Sequence, residues 1–249
     1  MQNEHWLVKY SREAYKELME KPEEFPLSNN TEYDVILRDI EHYPHAFVLA
    51  CCMDRQSKSE RVWSIPCIVM KQSGRYSVEE LAELPLEWYV ETFSSFSLHR
   101  YNYKMAQVFH STVQRLAVQY GGDASRIWSG SPSSATVVYR FLQFDGVGVK
   151  IATMAANLLH RCFGVEYSDY SSIDISPDVH VIRIFERAGL VSPDASREEV
   201  IYKARELNGA FPGVIDAACW RIGRNHCHAT DPACSTCPVS ADCPKLVSR

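Results

Sequence analysis

Phe144-Asp145-Gly146-Val147-Gly148-Val149-Lys150 is the stretch from which the rest of the chain is read. Two glycines flanking one apolar residue make a tight turn, because a residue without a Cβ can enter the left-handed region and let backbone N–H groups project. Amides exposed where a new helix begins form a seat for a phosphate oxygen. After the turn, apolar residues fall at Ile151, Met154, Ala155, Leu158, Leu159 and Cys162, the spacing of a helix with one buried face. Lys150, Thr153 and Asn157 share the opposite, polar face. This reading sets Lys150 beside the phosphate seat with its amine free.

Outward from the turn, helical signals dominate in both directions. A helix from Pro132 to Leu142 leads into it, and Met105, Val108, Phe109, Val113, Leu116 and Tyr120 form an earlier stripe closed by Gly121-Gly122. The run Ala46 to Cys52 is apolar all round, which predicts a buried helix. Another helix starts near Ser59 and is interrupted at Pro66. Ser77 with Glu80, and Ser196 with Glu199, are capping-box pairs. Ser11 is expected to cap a helix through about Met19, and Asn30 or Thr31 another carrying Val35, Ile36 and Ile40. Strand alternation is absent, so the expected fold class is all-α. The polar stretch Tyr167 to Ser172 reads as a loop.

A chain of 249 residues can bury a sizeable core in one or two domains. Hydrophobic content of 46% with 23% charged residues places it among globular proteins. No apolar run approaches a membrane span, and Met-Gln-Asn-Glu-His-Trp lacks the basic-then-apolar pattern of a secretory signal. The expected location is therefore cytoplasmic. A net charge of −5 works against a nucleic-acid partner, but phosphates meet only one face of a protein. The second half carries Arg140, Lys150, Arg161, Arg183, Arg187, Arg221 and Arg224, while acids gather at Glu13 to Glu24 and Glu79 to Glu83. That asymmetry permits DNA binding.

Nine cysteines, an odd count in a chain expected to be cytoplasmic, argue against a disulfide framework. Cys227, Cys234, Cys237 and Cys243 are spaced C-x6-C-x2-C-x5-C, and thiolates so close in sequence can converge on one soft metal centre. Pro232, Pro238 and Pro244 stiffen that loop. A C-x2-C pair also suits tetrahedral zinc, so the spacing leaves the metal open. Cys51, Cys52, Cys67, Cys162 and Cys219 stand among apolar residues and read as small core side chains. Asp178 follows Ser176-Pro177 and precedes the helical face Val181, Ile182 and Phe185. This sets it in the first turn of a helix, where the dipole favours an ionised carboxylate. Ser-Pro-Asp is equally an ordinary helix start.

Phe-Asp-Gly-Val-Gly-Val-Lys, then Pro-Asp-Val-His-Val-Ile-Arg, then the four-cysteine loop together resemble the endonuclease III family of helix-hairpin-helix DNA glycosylases. The resemblance spans about residues 44 to 243, with the motifs in the family's order. It implies two helical domains with a DNA-binding cleft between them: 44–154, ending in the hairpin, and a cluster domain built from 1–43 with 155–249. It implies a [4Fe–4S] cluster on Cys227, Cys234, Cys237 and Cys243, with zinc the lesser alternative. Gly146, Val147 and Gly148 would grip a phosphate of double-stranded DNA carrying a damaged base or abasic site, and the base would be flipped out. Lys150 matches the nucleophile that attacks the sugar C1′ and forms a Schiff base, and Asp178 the aspartate that assists it. The activity so implied is base excision with strand cleavage at the abasic site, carried out by a monomer.

Two departures from the family pattern lie near the expected lesion site. The segment from Lys150 to Asp178 is longer than the family's and contains Tyr167-Ser168-Asp169-Tyr170-Ser171-Ser172. Asp174 therefore competes with Asp178, which is preferred for the Val179-His180-Val181-Ile182-Arg183 that follows it. In Cys51-Cys52-Met53-Asp54-Arg55-Gln56, either Met53 or Gln56 takes the place of the residue that fills the gap left by a flipped base. The chain ends soon after the cysteine loop, which leaves no room for the extra domain of the adenine-specific branch. Rival readings are a monofunctional glycosylase with Lys150 solvated, a non-catalytic DNA-binding module, and a zinc-stabilised helical scaffold.

Overall fold

The structure is a computed structural model that describes residues 4–22, 25 and 27–246. Among them the chain is all-α, with helices joined by turns and short 3-10 segments and no strand. In order these are α1 (Trp6–Glu20), α2 (Thr31–Arg38), α3 (Pro44–Met53), α4 (Ser59–Trp63), α5 (Ile65–Ser73), α6 (Val78–Ala82) and α7 (Leu86–Ser95). Then follow α8 (Asn102–Tyr120), α9 (Ser134–Leu142), α10 (Val149–Phe163), α11 (Val179–Arg187), α12 (Arg197–Leu207) and α13 (Val214–Asn225). No described helix is long and apolar enough to cross a membrane.

The helix ends follow from side-chain chemistry. Ser77 and Ser196 each accept from the backbone of the glutamate three residues on, and Glu80 and Glu199 return the bond, closing both capping boxes. Asn30 caps α2 through bonds from the Glu32 and Tyr33 amides. Gly121 ends α8 at φ +59°, a conformation an L side chain rarely adopts. Pro66 sits in the first turn of α5, where its missing N–H costs nothing, so α4 and α5 are separate helices. Two expectations fail: α2 ends at Arg38, short of Ile40, and α1 begins at Trp6, capped by His5 Nδ1 accepting from the Leu7 amide at 3.2 Å. Ser11 is instead an interior, buried position of that helix.

The chain divides into two compact units, residues 23–166 and residues 1–22 with 167–249. In the first, α3 is the axis: every residue from Pro44 to Met53 is buried. Helices α2, α4, α5, α8 and α10 pack around it. The Phe47 ring meets Trp63, Trp128 and Phe163 edge-on at 5.8, 6.1 and 5.1 Å. Sequence reading divides the chain at 43/44 and 154/155. In the structure α2 packs on α3 and α5, and the whole of α10 packs on α9 and α3, so both belong to this unit.

In the other unit α1 lies along α13, which also packs on α11. Leu7, Val8 and Ala14 on α1, and Ile215, Ala218, Cys219 and Ile222 on α13, are buried. The stretch expected as a polar loop, 167–172, includes a 3-10 turn at Tyr170–Ser172 and is pinned by rings. Tyr167 is buried and packs on Tyr170, whose edge meets Phe211 at 5.3 Å.

Candidate functional site

Helices α9 and α10 are joined by residues 143–148, and the turn is fastened from below. The Phe144 ring stacks on Tyr120 at 6.1 Å, and Asp145 accepts from the Ser111 hydroxyl of α8 at 2.5 Å. Gly146 has φ +73° and Gly148 does not: its φ of −105° is extended backbone, and it serves as the N-cap of α10. The two glycines thus serve different needs. A Cβ on Gly146 would be strained and would collide with the Arg55 guanidinium. A Cβ on Gly148 would meet nothing within 4 Å, so the N-terminus of α10 opens on space at the point where its amides begin. Val147, between them, is buried and anchors the turn.

Lys150 lies in the first turn of α10, but its amine is not free: Nζ donates to Asp54 Oδ2 at 2.7 Å and stands 3.6 Å from Met154 Sδ. The polar face expected around it is also buried. Thr153 donates to the Val149 carbonyl and Asn157 to the Thr153 carbonyl, so each places a donor on its own helix's backbone. Asp54 is a residue that sequence reading names without assigning it a role. It lies 96 positions from Lys150, and no local pattern links residues so far apart. The turn after α3 carries three neighbours with three fates: Asp54 on Lys150, Arg55 against Gly146, and Gln56 exposed at φ +45°. Of the two gap-filling candidates, Met53 is fully buried and Gln56 is exposed.

Asp178 is the N-cap of α11, one position before the first turn. Its Oδ1 accepts from the His180 and Val181 amides, both at 2.8 Å. The same end of α11 is tied to α13 by His180, whose ring sits where Gly223 has no Cβ, and by Arg183, which donates to the Gly223 carbonyl at 3.0 Å. Burial pulls the His180 imidazole below its ordinary pKa, against the pull of the Asp178 charge. Its Nδ1 is 2.9 Å from Arg183 Nη2, which fits a neutral ring accepting from the guanidinium. Asp174, the competing carboxylate, is gripped by Arg205 through two bonds of 2.7 Å. Lys150 belongs to the unit 23–166 and Asp178 to the other.

All nine cysteines are free thiols. Cys227, Cys234, Cys237 and Cys243 line one cavity, with Trp6 and Arg187 on its wall. Burial pushes the Cys237 thiol above its usual range, and the Cys227, Cys243 and Cys234 sulfurs add to the rise, as expected of thiols gathered together. Arg187 Nη1 donates to Cys227 Sγ at 3.2 Å and to the His228 carbonyl at 2.6 Å. Arg183 Nε donates to the Cys227 carbonyl at 2.7 Å. Among the described residues no group of three or more His, Cys, Asp or Glu side chains is arranged to hold one metal ion. Cys51, Cys52, Cys67 and Cys219 are buried core residues, and Cys162 is half-buried.

The second-half arginines are largely engaged elsewhere. Arg140 donates to the Arg126 and Ile127 carbonyls, Arg183 and Arg187 hold the cysteine loop, and Arg221 pairs with Glu17 at 3.1 Å. Arg161 is buried and Arg224 lies over the Trp220 ring at 5.1 Å. Counting positive charges in the sequence therefore overstates what is left for phosphates.

No family model and no curated protein matches the sequence. Solved structures do match the fold. A non-covalent endonuclease III–DNA complex aligns over 96% of this chain and 95% of that one, at 19% identity and a TM-score of 0.64. A trapped endonuclease III–DNA covalent intermediate aligns over 86% of this chain and 92% of that one, at 19% identity and a TM-score of 0.61. A thermostable thymine-DNA glycosylase aligns over 94% and 95%, at 13% identity and a TM-score of 0.61. The all-α fold of this chain is the one those DNA glycosylases have.

Proposed function

We propose that the chain is a base-excision-repair DNA glycosylase with an associated abasic-site lyase activity. The observation that carries the reading is the fastened turn 143–148: a glycine N-cap opens α10 onto space and a lysine follows in its first turn. Helix dipole and amides suit a phosphate there, while a nearby primary amine suits attack on a sugar carbon. The similarity of fold to endonuclease III structures solved on DNA supports the same reading. In it, Gly146, Val147 and Gly148 form the phosphate seat. Lys150 attacks C1′ of the damaged nucleotide, the base departs, and elimination from the resulting Schiff base nicks the strand. Asp178 assists that attack and offsets positive charge developing on the sugar. The partner is double-stranded DNA with a damaged base or abasic site, met by a single copy of the chain.

We assign a [4Fe–4S] cluster to Cys227, Cys234, Cys237 and Cys243. Soft thiolates around a cavity suit a group of several atoms better than one ion. When bound, such a cluster supplies cross-linking of the loop, since neither excision nor elimination consumes electrons.

A monofunctional glycosylase is the second reading, favoured by the Lys150–Asp54 pair, which gives the lysine a structural use. Borohydride reduction on a duplex with an abasic site separates the two. A covalent protein–DNA adduct that disappears in K150Q is the expected result. Absence of any adduct with the wild type removes the lyase activity and leaves the second reading.

A further inference from the structure

We propose that Asp54 is a positioning residue for the Lys150 amine, holding it at one place beside the phosphate seat; this rests on the reading of Lys150 as nucleophile. The amine and carboxylate are 2.7 Å apart, and their side chains are only 24% and 11% exposed. A lysine side chain otherwise samples many rotamers, and fixing its end before the substrate arrives removes that disorder from the reaction.

What makes Asp54 fit for the task is the rigidity behind it. It closes α3, a helix buried along its whole length, with its own amide donating to the Cys51 carbonyl at 3.1 Å. The next residue is pinned twice. The Arg55 guanidinium lies against Gly146, and its carbonyl accepts from His99 Nε2 at 2.9 Å, the imidazole N–H donating. One short turn therefore touches the lysine and the hairpin glycine together. Met154 Sδ, one helical turn along α10, stands 3.6 Å from the same Nζ and offers no competing charge. Exposed lysine–carboxylate pairs add little to stability, whereas a shielded one leaves a buried charge when one partner is removed. Positioning and folding therefore have to be separated by the test.

The test is single-turnover borohydride trapping on an abasic duplex by the wild type, D54N and D54E, with melting temperatures measured alongside. The expected result is that D54N slows the limiting trapping rate about ten- to a hundredfold. The protein concentration at half-saturation stays unchanged, and D54E restores most of the rate by keeping the carboxylate. D54S, small and uncharged, replaces D54N if that variant does not fold. A neutral variant trapping at the wild-type rate overturns the proposal alone. A loss shared by D54E and accompanied by a lowered melting temperature also overturns it, as structural. Absence of any adduct with the wild type overturns both this proposal and the nucleophile reading.

Discussion

Asp178 holds two amides of α11, and any account of it as a catalytic group has to be kept apart from that duty. The choice of substitution separates them. D178A removes the cap and should lower stability by about 1 kcal/mol. D178N keeps a capping oxygen, since Asn caps about as well as Asp, and should melt near the wild type. The expected outcome for D178N is a folded protein with base release reduced at least a hundredfold; full activity in that variant would return Asp178 to a purely architectural role. The turn and a helix start at Asp178 were legible in the sequence because each is a local pattern, a Gly-x-Gly or a Ser-Pro-Asp, though Asp178 proved to be the cap rather than a first-turn residue. The Lys150–Asp54 pair was not, because only tertiary packing brings residues 96 positions apart together. Thr153 and Asn157 misled for a related reason: polar side chains that bond back to their own helix can be buried without leaving a polar face.

Helices were read well wherever a cap or a period marked them. The limits of α8, the two capping boxes and the wholly buried α3 all match patterns a few residues long. Ser11 misled because a serine inside a helix can be mistaken for its start, while His5 capped it instead. For the cysteine loop the spacing showed that four thiols gather but not what they hold. Its fastening to α11 by Arg183 and Arg187 makes the loop and that helix one mechanical piece. If the loop holds a [4Fe–4S] cluster, purified protein should be brown and contain about four irons per chain. Replacing any one of Cys227, Cys234, Cys237 or Cys243 by Ser should bleach it and lower the melting temperature. Colourless wild-type protein with one zinc per chain would reverse the assignment.

For the whole molecule, acid is the condition to which the packing is most exposed. His45 is buried in the first turn of α3, and burial lowers its pKa from 6.5 to about 4. The unfolded chain therefore takes up a proton at a pH where the folded one does not. Stability from this residue is complete above pH 6.5 and is lost as the pH falls towards 4. The loss is at most about 3 kcal/mol, from 1.36 kcal/mol per pKa unit. His5, His99, His110, His160 and His180 shift the same way, each chiefly through burial. Denaturant midpoints measured from pH 7 to 4 should fall steadily, and H45F should flatten part of that slope; an unchanged slope would mean that another group governs it. The stretch between α10 and α11 has a different kind of sensitivity. Its two tyrosines are where chymotrypsin would cut, yet one is sealed and the other leans on Phe211. Nicking at Tyr167 would therefore time the opening of an aromatic cluster, turning a stretch that reads as slack in the sequence into a gauge of how often its unit breathes.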